Sequence, residues 1–303
     1  MSGPDVGADI ALHGVCPAFG VQGSIPVSEH VDKASSVKEA AAASSHSDST
    51  PLLLRDRFWI LFGLFAMTGL AWLYTAGLVG PLHDSAMHSS GAHAHHGSSA
   101  PFSLLLAMWI VMMVAMMLPT AAPMILTYAS LSRRQKPGSR VRTSLPALVL
   151  GYLAAWLSFS VLAALLDRVL QQAAWISSAG QSQSLFLSGG LLILAGVFQW
   201  TPLKTACLSA CRSPLALMLT EWREGTWGAF RMGLRHGWFC VGCCWALMGL
   251  MWVAGMLNLL WLAALTLYML AEKILPGAER WSRWVGVAAV FVGLYFWGLA
   301  AQG

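Results

Sequence analysis

From Gly237 to Ala271 the chain reads GWFCVGCCWALMGLMWVAGMLNLLWLAALTLYMLA, thirty-five residues without one charged side chain. As a single helix rising about 1.5 Å per residue it would be about 52 Å long, well beyond the ~30 Å hydrocarbon core of a bilayer. The run therefore has to fold back on itself, and Gly255–Asn258 is where the turn is expected. Read outward from this hairpin, apolar stretches long enough to span recur at about Phe58–Gly80, Phe102–Leu131, Leu145–Leu166, Leu185–Leu203, His236–Leu257, Leu259–Leu275 and Trp284–Ala301. The fold predicted from this pattern is an all-α polytopic transmembrane bundle of about seven spans.

Composition agrees. Of 303 residues 57% are hydrophobic and only 10% charged, with a mean hydropathy of +0.63, against about 25% charged residues in an ordinary soluble domain. The net charge of +5 does not imply a nucleic-acid partner, because the basic residues sit between apolar spans and form no basic amphipathic face. Residues 1–56, rich in Ala, Ser, Gly and Val and poor in aromatics, read as a disordered tail, with 57–303 as the membrane domain. The opening MSGPDVGADI lacks the basic start and apolar core of a signal peptide.

Lys and Arg resist translocation, so their placement orients the bundle. Lys33, Lys38, Arg55 and Arg57 precede the first span. Arg133, Arg134, Lys136, Arg140 and Arg142 lie between the second and third; Lys204, Arg212, Arg223, Arg231 and Arg235 between the fourth and fifth; Lys273, Arg280 and Arg283 between the sixth and seventh. Seventeen of the 18 basic residues thus fall on one side, leaving Arg168 on the other. The expected arrangement is a bacterial inner-membrane protein with a cytoplasmic N-terminus and an external C-terminus.

This orientation gives the soft and polar residues their addresses. The external loop 81–100 holds His83, Asp84, His88, His93, His95 and His96, a density of imidazole that chelates Cu(II), Zn or Ni; a flexible loop that catches metal opportunistically reads the same way. In the second span, AMWIVMMVAMMLPTAAPMI carries Met108, Met112, Met113, Met116 and Met117 at helical spacing. Thioethers suit Cu(I), but Met is also an adaptable core filler, and the stripe alone favours packing. Pro119 and Pro123 should bend or break this helix, which a membrane tolerates only where the break is buried in protein or lines a cavity.

The cysteines are the sharpest signal. Cys207 and Cys211 lie four apart beyond the fourth span. His236, Cys240, Cys243, Cys244, Met248 and Met251 follow one another in steps of three and four, forming one stripe near the start of the fifth. Cytoplasmic thiols are kept reduced, so metal ligation or thiol redox chemistry is expected over a structural disulfide. Isolated Cys16 has no assigned role. Glu272 is placed at the mouth of the sixth helix in preference to its interior, and Gln199 is a candidate lining group. Ser213 and Pro214 are expected to open a short interfacial helix. Mid-membrane carboxylates are missing from the pattern, which counts against ion-coupled transport, and a second intramembrane histidine for haem is lacking.

The strings AMMLPTAAPMI, Gly151-Tyr152, QWTPLKTACLSACRSP, Trp222-Arg223-Glu224-Gly225, CVGCCWALM and Ala271-Glu272-Lys273 resemble a bacterial family described as predicted metal-binding integral membrane proteins, the domain of unknown function numbered 2182 (DUF2182). The resemblance spans about Phe58 to Ala301; the tail and the His-rich loop lie outside the shared pattern. It implies copper handling, including delivery to copper enzymes such as tyrosinases. The combined expectation is a Cu(I)-binding membrane protein, not an enzyme, that passes metal to a copper-dependent enzyme or a soluble metallochaperone. The expected route runs from the His-rich loop along the Met stripe to the thiols. The alternatives are a membrane thiol-redox protein and a structural or assembly subunit whose cysteines only pack.

Overall fold

A computed structural model describes the backbone of residues 54–88, 101–135, 140–177, 180–215, 218, 222–223, 225–275 and 277–302. Within them the regular structure is helical: α1 Leu54–His88, α2 Phe102–Met117, α3 Ala122–Gln135, α4 Arg140–Gln172, α5 Leu185–Phe198, α6 Pro202–Arg212, α7 Gly225–Gly249, the short α8 Met251–Ala254, α9 Leu259–Ile274 and α10 Ala278–Ala300. A 3₁₀ turn, Pro119–Ala121, joins α2 to α3. The only other pairing among the described residues is an isolated antiparallel bridge between Ile176 and Ser182.

Five of these segments are long and apolar enough to cross a membrane, and α5 with α6 makes a sixth if that pair, bent by 65°, counts as one span. The remaining expected span, Leu259–Leu275, the sixth in chain order, is present as α9. At 16 residues it is about 24 Å long, just below the usual spanning length. The fold-back falls where the uncharged run required it. Helix α8 ends at Gly255, whose φ of 92° is open chiefly to glycine, and Asn258 caps α9 by accepting a hydrogen bond from the Trp261 amide at 3.1 Å.

Two span boundaries differ from expectation. The fourth span stops at Phe198 and bends, so Cys207 and Cys211 ride a helix of their own, α6, started by the Thr201 side chain accepting from the Lys204 amide and by Pro202 at the first position. The fifth begins at Gly225, eleven residues before His236, which puts Arg231 and Arg235 on α7 and its cysteines mid-helix. Glycines make the opening GTWGAFRMGLRH look like loop, yet they are there for packing.

Close approach of backbones explains those glycines. A Cβ at Gly151 of α4 would collide with the Phe230 carbonyl, one at Gly233 of α7 with the Leu148 carbonyl, and one at Gly237 would stand 2.7 Å from the Ala155 methyl. A second small-residue seam joins α5 to α10: Gly189 faces the Gly293 carbonyl at 2.7 Å and Gly196 the Gly286 carbonyl at 2.6 Å from the position of an added Cβ. The order 189–293, 196–286 makes these helices antiparallel. With no hydrophobic drive between helices in lipid, such seams let dispersion and backbone contact hold a bundle together. Outward faces stay apolar, as Leu73, Phe291 and Trp281 illustrate, which suits a lipid surround.

Candidate functional site

Proline chemistry starts the site. Pro119 has no amide proton and Ala121 bonds back to Leu118 in a 3₁₀ step, so the Met117 carbonyl loses its α-helical partner. It is satisfied instead by the Thr120 hydroxyl at 2.8 Å and the Tyr152 hydroxyl at 2.9 Å. The same Tyr152 oxygen lies 3.2 Å from Cys240 Sγ. The expected break is therefore real, buried, and tied directly to the cysteine helix.

Helix α7 turns Cys240, Cys243 and Cys244 into the interior, where all three are buried and unbridged. The Cys243 and Cys244 thiols donate to the Cys240 carbonyl at 3.1 and 2.8 Å. From α6, buried Cys211 interacts with the sulfurs of Cys240 and Cys243, while Cys240 and Cys244 each interact with both other thiols of α7. Cys207 is also buried, its Sγ 2.9 Å from where a Cβ on Gly242 would stand. Gly242 in the CVGCC string is thus what lets α6 bring its sulfur down onto α7. His236 sits one turn before Cys240, 3% exposed, its Nδ1 buried with no hydrogen-bond partner among the described residues.

A cation completes the cluster. Lys273 Nζ of α9 lies 2.9 Å from Cys240 Sγ and donates to Thr120 Oγ1 at 2.9 Å; its charge also acts on Cys243, Cys244 and Tyr152. Next to it Glu272, expected at the helix mouth, is instead in the interior. It accepts from Lys204 Nζ at 2.7 and 2.9 Å and from the Tyr268 hydroxyl at 2.7 Å. Gln199 joins this network, accepting from Lys204 and from Ser282 and donating to Tyr268 at 3.1 Å. The ion pair fastens α6, and so Cys207 and Cys211, to α9. Asp167 is a second buried carboxylate that the hydropathy pattern hid.

Met112, Met113, Met116, Met117 and Met248 are all at most 1% exposed and belong to the same contiguous core as the five thiols, with Met108 packed against it. The structure brings these thioethers inside the bundle, as both the ligand and the filler reading require. The external loop expected from residue 81 is instead helical as far as His88, because α1 runs on past Gly80; His83 and His88 thus stand on α1, while their side chains, with all of His93, His95 and His96, lie outside the described residues. So do residues 1–53 of the expected tail, whose last three, 54–56, instead open α1; of the interfacial helix expected from Ser213, Pro214, Leu215 and Met218 are helical, and 216–217 and 219–221 lie outside the described residues. Sequence reasoning missed Lys273, Tyr152 and Thr120 as site residues, although Gly151-Tyr152 and Ala271-Glu272-Lys273 stood among the quoted strings.

Among the described residues no group of three His, Cys, Asp or Glu side chains stands in a ready-made metal-ligating arrangement. The donors are nonetheless soft, adjacent and buried, which suits a monovalent soft ion that needs fewer ligands than tetrahedral zinc. The family model described as a copper chaperone, PpoB2, matches residues 106–296. The chain belongs to this copper-chaperone family. The matched region runs from within α2 to within α10, takes in every cysteine of the cluster, and leaves out the His-rich loop. No curated protein and no solved structure matches the chain.

Proposed function

We propose that this copper-chaperone family member is an integral membrane protein that holds Cu(I) as cargo on the thiols of Cys211, Cys240, Cys243 and Cys244. Cys207 and His236 stand at its edge, and the buried Met112, Met113, Met116, Met117 and Met248 form the approach. The carrying observation is the meeting of thiols from two helices, α6 and α7, in a water-excluded interior beside Lys273. Thiolate sulfur selects Cu(I). A Cu(I) ion on two thiolates carries one net negative charge, and Lys273 balances it, which matters where unpaired charge is expensive. The tight inner thiols and weaker thioethers make a gradient along which an ion can move. The basic-residue pattern supports a bacterial inner-membrane protein with a cytoplasmic N-terminus and an external C-terminus, and the recipient in this reading is a copper-dependent enzyme or a soluble metallochaperone. No catalytic residue is assigned, and the His-rich loop is at most an external metal collector.

The double substitution Cys243→Ser with Cys244→Ser tests the assignment. It should abolish stoichiometric copper binding by the purified protein while leaving its elution as a folded, monodisperse species. Undiminished copper would remove these thiols from the site. A mass lower by two hydrogens per bridge, showing disulfides in place of copper, would favour the thiol-redox reading that the same sulfur contacts allow.

A further inference from the structure

The first turns of α10 carry a face that the thiol site does not use. Ala278, Ser282, Gly286 and Gly293 turn inward, and the Ser282 hydroxyl donates to Gln199 at 2.6 Å, which fixes the rotation of the helix. At 3.6 residues per turn, Arg283, Arg280, Trp284 and Trp281 follow one another around the opposite side, within about 160° of its circumference. All four are exposed, the two tryptophans by 74% each. Half-exposed Trp200 joins them, its indole N–H donating to the Arg283 carbonyl at 3.2 Å.

Charge on this face is unbalanced. The acid of the first turn, Glu279, faces Arg212 of α6 at 4.0 Å, and Arg212 also donates to the Leu275 carbonyl at 2.6 Å. Arg280 and Arg283 have no carboxylate partner among the described residues, so the corner where α6 meets α10 holds positive charge in excess. Helix length sets its depth. Arg280 lies twenty residues before Ala300, about 30 Å at the helical rise, which is the thickness of the hydrocarbon layer. With Ala300 at one boundary, the two guanidinium groups stand at the other. Trp281 and Trp284 then lie where indoles gather, ring in the apolar layer and N–H toward the headgroups.

Resting on the membrane-spanning part of the reading above and not on copper, we infer that this face binds an anionic phospholipid, with Arg280 and Arg283 on the headgroup phosphate and Trp281 and Trp284 along the upper acyl chain. Guanidinium forks match phosphate oxygens bidentately, and the excess charge favours a headgroup of net negative charge over a zwitterionic one. A soluble anion would engage the arginines and leave both indoles in water, whereas a lipid covers them. Because Arg212 ties this turn to α6, the lipid sits beside the anchor of the helix that carries Cys207 and Cys211.

The test uses the full chain in detergent micelles containing equal amounts of phosphatidylglycerol and phosphatidylcholine, and native mass spectrometry counts the lipids that stay bound as the micelle is stripped. The wild type should retain phosphatidylglycerol about ten-fold or more over phosphatidylcholine. Arg280→Gln with Arg283→Gln should reduce that preference to about two-fold or less. Arg57→Gln with Arg231→Gln, which removes exposed arginines from α1 and α7, should keep it. Inorganic phosphate and a polyglutamate peptide, each in millimolar excess, should leave the lipid in place. Equal retention of the two lipids by the wild type, or an undiminished preference after Arg280→Gln with Arg283→Gln, would overturn the inference. So would an equal loss after Arg57→Gln with Arg231→Gln, which would show a response to overall charge. Displacement by phosphate would make the face a plain anion site, displacement by polyglutamate a protein-docking surface, and either would overturn the lipid assignment. Release of the chain from vesicles by alkaline carbonate, a result distinct from all of these, would overturn the membrane reading itself.

Discussion

Removing the Glu272 carboxylate should loosen the half of the thiol site that α6 supplies. Lys204 and Glu272 have side chains only 2% and 7% exposed and approach to 2.7 Å. At an effective dielectric constant of about 20 the gross attraction is about 6 kcal/mol, and much of it is offset by desolvating both ions. The net value of the pair is therefore modest, but the cost of orphaning one member is not. Glu272→Ala leaves a buried ammonium with Gln199 as its remaining polar partner and should destabilise by about 3–5 kcal/mol, on the order of 10 °C in thermal midpoint. Lys204→Met with Glu272→Leu removes both charges and should lie close to wild type. The assay is thermal unfolding in detergent, read by reaction of a thiol-specific fluorophore with the buried cysteines. Labelling of Cys207 and Cys211 should come first in Glu272→Ala, because they ride the released helix. A Glu272→Ala midpoint within a degree or two of wild type, or a double variant worse than either single one, would refute the reasoning.

Other consequences are as direct. Lys273→Met removes the charge 2.9 Å from Cys240 Sγ and should weaken Cu(I) binding by about 10–100-fold in chelator competition, with thiol stoichiometry unchanged. Tyr152→Phe loses the hydroxyl that joins the Met117 carbonyl to Cys240, which should cost about 1 kcal/mol of stability and lower copper affinity less than Lys273→Met does. Gly151→Ala forces a methyl into the Phe230 carbonyl and should cost about 1–3 kcal/mol or more in thermal unfolding. Gly63→Ala, which meets nothing within 4 Å, should be neutral.

Much of this arrangement was legible in residue order alone. Hydropathy locates spans because lipid demands internally satisfied backbone, and the uncharged run from Gly237 had to turn back near Gly255. Helical spacing put Cys240, Cys243 and Cys244 on one face. What it could not give was the meeting of helices far apart in sequence. Lys273 reads as an ordinary basic residue at a helix end until α9 brings it to Cys240, and Glu272 reads as a mouth residue until Lys204 is seen in the interior. Asp167 escaped notice because it stands beside Arg168 at the end of an apolar stretch, where a charged pair looks like the start of a loop. The start of α7 was missed because its glycines signal flexibility in sequence and close packing in a bundle.

The central claim is that the thiols of Cys211, Cys240, Cys243 and Cys244, with Cys207 at their edge, hold copper. Mass-spectrometric metal analysis of detergent-purified protein tests it most directly, comparing the wild-type thiols with a variant lacking all five, both in a background without the His-rich loop 81–100. The account expects about one or two copper ions per chain with the thiols present and none without them. Equal copper in both, or none in either, would contradict it.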